Sequence, residues 1–239
     1  MGGSRYGVRT VLVTRFAEGA IDIYADALAA VAEALAVQNV SSARKSLEAI
    51  SGELWQGTVT AARTTASELP AAGPRTVSDG TRAKVFLRDG FRCSYCGGRG
   101  IPRCVMVGIS DVFPEMFAYE AHYGRGRIHP AYWVLALEAD HTVPHARQGP
   151  GDEGNLTAMH ALCNTMKAAA DAHEVGTSEP LEERPGWSGL ILEYPGIVLS
   201  GSSDGKRHSA PGYHSRWIRR FGLIPLGDET DPASSAPPR

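Results

Sequence analysis

Residues 138–167 read EADHTVPHARQGPGDEGNLTAMHALCNTMK, and the fold turns on how this stretch is read. Two kinds of metal-ligand residue are interleaved in it. Asp140, His141, Asn155 and Asn164 form an oxygen-rich set with an imidazole beside it. His160 and Cys163 form a nitrogen–sulfur pair, and Cys93 and Cys96 repeat the same two-residue spacing upstream. A Cys-x-x-Cys knuckle lets two thiolates converge on one ion from a tight turn, and a second pair closes the tetrahedron. Gly97 and Gly98 follow the knuckle and supply the permissive backbone it needs. A three-cysteine, one-histidine site has no open position, so this set is expected to hold a structural Zn²⁺. Cys104 is the alternative fourth ligand in place of His160, although a small buried thiol is the commoner fate of such a residue.

The oxygen set suits a harder cation. A carboxylate and an amide oxygen match Mg²⁺ or Mn²⁺, and an imidazole can take a proton from water near neutral pH. In a regular strand Asp140 and His141 point to opposite faces. A bend before Pro144 is expected to turn both toward one site.

On these residues the sequence resembles the HNH endonuclease family, whose core is the ββα-metal finger. The family pattern runs Cys-x-x-Cys, Asp-His-x-x-Pro, a glycine-rich loop, Asn-Leu, a second ligand pair, Asn or His, then lysine. It is met by Cys93/Cys96, Asp140-His141-Thr142-Val143-Pro144, Gly149 to Gly154, Asn155-Leu156, His160/Cys163, Asn164 and Lys167. The resemblance implies that His141 is the general base, that Asp140 and Asn164 hold the catalytic cation, and that Asn155 braces the loop aiming His141. It also implies that Lys167 faces a phosphate, and that the product carries a 5′-phosphate and a 3′-hydroxyl. The chain departs from the pattern in two places: the second pair begins with His160 rather than cysteine, and the span from Cys96 to Asp140 is long. The long span marks an insertion at about 100–133. A metal-dependent DNA endonuclease is the expected function, with restriction and phage defence among its settings. A non-catalytic, zinc-stabilised DNA-binding module is the alternative.

The 239 residues, 43% hydrophobic and 21% charged, are ordinary for a globular protein, and no apolar run approaches a membrane span. Cysteines at ligand spacing without an evident export signal favour a reducing cytoplasm. A net charge of −2 does not advertise nucleic-acid binding, but local charge does. Arg82, Lys84, Arg88, Arg92, Arg99 and Arg103 crowd the knuckle, and Arg216, Arg219 and Arg220 cluster near the C-terminus. With Arg147 and Lys167, the C-terminal arginines are the expected phosphate contacts.

An α+β fold is expected in three parts. Residues 1–74 form a helical hairpin and linker, residues 75–173 the zinc-stabilised finger domain, and residues 174–239 a mixed C-terminal extension with a disordered tail. In the hairpin, Ala20, Tyr24, Leu28, Val31 and Leu35 make one apolar stripe, and Ser41 is the expected N-cap of a second helix running toward Pro70. Ser78 and Gly90 bracket a helix that delivers Cys93. The finger's strands are expected at 134–139 and 156–159, with its helix over 161–172. The aromatic stretch 113–133 reads as a satellite core, and His122 and His129 are remote candidates for further ligands.

Overall fold

The computed structural model describes residues 19–57, 76–143, 148–167, 186–201 and 212–223. The fold is α+β. A three-stranded sheet in the order β1 (Ile101–Pro102), β2 (Ala136–His141), β3 (Leu156–His160) is surrounded by helices. β1 runs parallel to β2, and β3 antiparallel. The finger itself is β2, β3 and the helix that follows without a break, α6 (Ala161–Lys167).

The first helix, α1 (Ala20–Ala36), buries Ala25, Leu28, Val31, Ala32 and Leu35 along one stripe. α2 (Val40–Leu47) is capped by Asn39, whose side chain accepts from Ser42 N at 3.0 Å, so the cap falls two residues before the expected Ser41. This helix is also shorter than its apolar pattern suggested. It tightens into a 3₁₀ turn at Glu48–Ile50 and stops at Ser51-Gly52, with Gly52 in the left-handed region at φ 71°. The expected continuation toward Pro70 falls largely outside the described residues. α3 (Asp79–Arg88) is capped by Ser78 as expected, and Gly90 (φ 58°) turns the chain into the knuckle.

The stretch expected to form a satellite core packs instead within the main core of the described residues. α4 (Arg103–Val112) and α5 (Ala131–Leu135) join α1, α7 (Tyr194–Ser200) and α8 (Tyr213–Arg220) in one continuous core. Phe117 stacks on Tyr132, and the Tyr132 hydroxyl donates to Met106 O at 2.9 Å. His129, 0% exposed, bonds Ile50 O through Nε2 at 2.6 Å and accepts from Ala131 N through Nδ1. Burial lowers its pKa and keeps it neutral, so it is a core histidine and not a ligand. α5 also displaces the start of β2. Residues 131–135 are helical and the strand runs two residues later than expected, carrying Asp140 and His141 within it.

Candidate active site and metal centre

The knuckle is built by local hydrogen bonds. Cys93 N donates to Gly98 O at 3.0 Å and Gly97 N to Cys93 O at 2.8 Å, with Gly97 at φ 72°. β3 then carries His160 to the knuckle, and α6 carries Cys163. The ligand atoms of Cys93, Cys96, His160 and Cys163 all lie within 4.8 Å of one another. His160 Nε2 is 2.9 Å from Arg99 O, so its Nδ1 is the nitrogen turned to the sulfurs, 3.4 Å from Cys96 Sγ. A carbonyl fixing the tautomer of a ligating imidazole is the usual support of a zinc site. Hydrogen bonds from Cys163 and Cys96 hold the Cys93 thiol well below the ordinary thiol range. Burial opposes charge on His160, but the hydrogen bonds and fields of Cys93 and Cys96 outweigh it and push its pKa up to about 10. Hydrogen bonds to Cys93 and Cys96 push the Cys163 thiol the other way, far above the ordinary range, so the pull toward thiolate falls on Cys93. Three sulfurs and one imidazole fit Zn²⁺. Cys104 sits elsewhere, buried on α4, where desolvation pushes its thiol far above the ordinary range.

Among the described residues the sheet ends at β3, and the outward backbone groups of that strand need partners. Asp89 Oδ2 accepts from Ala158 N at 2.7 Å and from the Thr157 hydroxyl at 3.2 Å. Arg88, paired with Asp89 at 2.7 Å, donates to Leu156 O and Glu153 O. Ser94 N closes the edge on Ala158 O at 2.9 Å. The helix that delivers the knuckle therefore also fastens the finger.

At the far end of the finger lies the oxygen set. Thr142 N donates to Asn155 O at 2.8 Å, and the Asn155 side chain spans the loop that follows. Its Oδ1 accepts from Val143 N at 2.9 Å, while its Nδ2 donates to Val143 O at 3.0 Å and Pro150 O at 2.8 Å. Gly149 lets the backbone close in: a side chain there would run into the Val143 carbonyl and the Asn155 amide. His141, at the end of β2, has its Nε2 turned inward, 3.9 Å from where a Cβ on Gly151 would stand and closed off from solvent.

On the other face of β2, Glu138 and Asp140 alternate toward α6. Lys167 Nζ lies 2.6 Å from Asp140 Oδ2 and 2.7 Å from His141 O. At 2% exposure Lys167 is in the interior. The structure therefore departs from the expectation of a phosphate contact: with α6 laid across the sheet, this helix position faces β2 and holds the Asp140 carboxylate. One turn earlier, Asn164 Nδ2 donates to Glu138 Oε2 at 3.5 Å, and Glu138 Oε1 meets Arg103 Nη1 at 3.5 Å. The sequence reading missed Glu138 and placed Arg103 only within the basic cluster near the knuckle. The signal for Glu138 was present, since period-two alternation places it on the face of Asp140.

The basic cluster around the knuckle is engaged within the fold. Arg99 pairs with Asp22 and Asp26 of α1 and lies over the Trp187 ring, and Arg92, 8% exposed, donates to Gly97 O. Arg103 is held by Glu138, and Lys84 stands 3.8 Å from Glu153. The C-terminal cluster differs. Arg216, Arg219 and Arg220 are exposed on α8, while Trp217, Ile218 and Phe221 anchor the helix in the core. Arg220 also reaches Asp79 at 3.4 Å. Arg147 lies outside the described residues.

Residues 126–169 match the model of the HNH endonuclease family. The match covers β2, the loop, β3 and α6 with Asp140, His141, Asn155, His160, Cys163, Asn164 and Lys167, and excludes Cys93 and Cys96. The chain carries an HNH domain over this span, which places it with nuclease-type or DNA-binding proteins. No curated protein and no solved structure matches the chain. Among the described residues no helix is long and apolar enough to cross a membrane.

Proposed function

We propose that this chain is a divalent-cation-dependent endonuclease that hydrolyses DNA phosphodiester bonds, in the reducing setting where its zinc thiolates persist. One observation carries the reading. The ββα finger puts His141 and Asp140 at the end of one strand, Asn164 on the helix crossing it, and Asn155 across the loop beside His141. Asp140 and Asn164 are the residues that would hold Mg²⁺ or Mn²⁺, and such a cation supplies neutralisation of the charge that grows on the phosphoryl and leaving oxygens. Their donor chemistry, one carboxylate and one amide, fits a hard ion.

The residues divide the remaining work. His141 takes a proton from water. The water oxygen attacks phosphorus in line, the bond to the 3′-oxygen breaks, that oxygen takes a proton from solvent, and the products are a 5′-phosphate and a 3′-hydroxyl. Lys167 holds the Asp140 carboxylate, and Asn155 keeps the loop closed on the His141 side. Arg216, Arg219 and Arg220 contact backbone phosphates through α8, with Arg147 a further contact. Zinc on Cys93, Cys96, His160 and Cys163 keeps knuckle, strand and helix in register.

The Lys167–Asp140 pair favours a second reading. A buried ammonium 2.6 Å from Asp140 already supplies that carboxylate with a counter-charge, as a zinc-stabilised DNA-binding module without catalysis would need. Incubation with supercoiled plasmid in Mg²⁺ or Mn²⁺, with and without a chelator, separates the two. Conversion to nicked or linear DNA only with the cation supports the nuclease, and binding without conversion under any cation supports the module.

A further inference from the structure

We infer that Glu138 is a positioning residue for the cation site: it fixes the side-chain amide of Asn164 so that the carbonyl oxygen, and not the NH₂ group, is presented to the ion. This rests on the reading of Asp140 and Asn164 as the cation's holders.

An asparagine side chain has two ends of nearly equal shape and opposite chemistry. Only its oxygen can ligate a cation, and a rotation of half a turn presents two N–H donors instead. A useful asparagine ligand therefore needs something that holds its nitrogen elsewhere. Glu138 meets that need, because an ionised carboxylate accepts hydrogen bonds and cannot donate them. Its Oε2 takes Asn164 Nδ2 at 3.5 Å, and the flipped amide would set oxygen against oxygen there.

Glu138 is itself held. The parallel register Pro102↔Leu137 brings the next residue, Arg103, beside the next residue of β2, and Arg103 Nη1 meets Glu138 Oε1 at 3.5 Å. Both contacts are long, so they act chiefly by direction: the carboxylate has only to disfavour one of two amide orientations. The arrangement repeats with the roles exchanged. At Asp140 the strand carries the ligand and the helix residue Lys167 holds it, at 2.6 Å. At Asn164 the helix carries the ligand and the strand residue Glu138 holds it. Glu138 is thus placed by β1 and β2, and it gives Arg103 a role distinct from DNA contact.

The test is Mn²⁺ affinity of the zinc-loaded full chain, read by electron paramagnetic resonance of free Mn²⁺, in two backgrounds. Glu138→Gln keeps the size of the side chain but can also donate, so it tolerates the flipped amide. In the wild-type background it should weaken Mn²⁺ binding about 10- to 100-fold, the usual cost of losing a partner of a ligand, with zinc content and thermal midpoint kept. Asn164→Asp replaces the two-ended amide by a carboxylate with equivalent oxygens. In that background the same Glu138→Gln change should weaken Mn²⁺ binding far less, because only the loss of a nearby negative charge remains and no amide has to be held in one orientation. Equal weakening in both backgrounds would make Glu138 a direct ligand or a fold residue and would overturn the inference, as would no weakening in the first. Absence of a second divalent site in the wild-type chain would overturn the cation reading itself.

Discussion

Asn155→Ala should open the loop beside His141 without unfolding the protein. The side chain makes three hydrogen bonds, to Val143 N, Val143 O and Pro150 O, and is 8% exposed. Each is worth about 0.5–1.5 kcal/mol net, and a partner left without one costs more if water does not reach it. Val143 is partly exposed, so water recovers some of the loss. The loop's closed state should then lose about 2–3 kcal/mol, which is roughly 30- to 150-fold in the closed-to-open ratio. Native-state hydrogen exchange reads this directly. The Val143 amide should lose protection by that factor, while the amide of Ala158, held by Asp89 on the sheet, should not change. DNA cleavage should fall with the loop. Asn155→Asp is the sharper variant. It can still accept from Val143 N, but it sets an anionic oxygen against the carbonyls of Val143 and Pro150, so it should be at least as damaging as alanine. Wild-type protection and cleavage in Asn155→Asp would refute the bracing role.

Three further outcomes follow from the same geometry. Cys93→Ser should lose zinc and folded protein together, since a structural zinc contributes on the order of 10 kcal/mol to small domains, whereas Cys104→Ser should keep its zinc by metal analysis. Alanine at Arg216, Arg219 and Arg220 together should flatten the dependence of DNA affinity on salt by about 0.9 in log–log slope per lost phosphate contact, and an unchanged slope would mark α8 as a solvated face. His129 is buried neutral with a lowered pKa, so the unfolded chain takes up its proton first. The stability it lends is present above the unfolded value of about 6.5 and is lost as pH falls through the lower folded value. Chemical denaturation across that window should show a steeper acid loss than in His129→Asn, and parallel curves would contradict this.

What was legible in the sequence was what is local in the chain. The two ligand pairs could be read because each has two residues between its members, and the Asp-His, Asn-Leu and Asn-x-x-Lys spacings fix a strand end, a loop end and one helical turn. Ser78 and Gly90 were legible for the same reason. The start of β2 was not, because residues 131–137 form a short apolar run whose periodicity does not separate helix from strand; packing of Tyr132 against Phe117 settles the first half as helix. Lys167 was misread because spacing says which residues share a helix face but not which face the sheet covers. The internal pairing of the basic cluster at the knuckle was not legible because its partners, Asp22, Asp26, Glu138 and Glu153, are remote in sequence. The place of the 100–133 stretch in the main core followed from its pairing with β2 and its packing on α1, neither of which has a local signature.

The most direct measurement of the central claim is single-turnover cleavage of supercoiled plasmid by His141→Ala beside the wild-type chain, in Mg²⁺ and in Mn²⁺, with DNA affinity and zinc content measured on the same preparations. Cleavage by the wild type should depend on the cation, and the variant should lose about 10²–10⁴-fold, the range for a general base, with DNA affinity and zinc unchanged. Cleavage by His141→Ala at the wild-type rate, or no cleavage by the wild type under either cation, would contradict that claim.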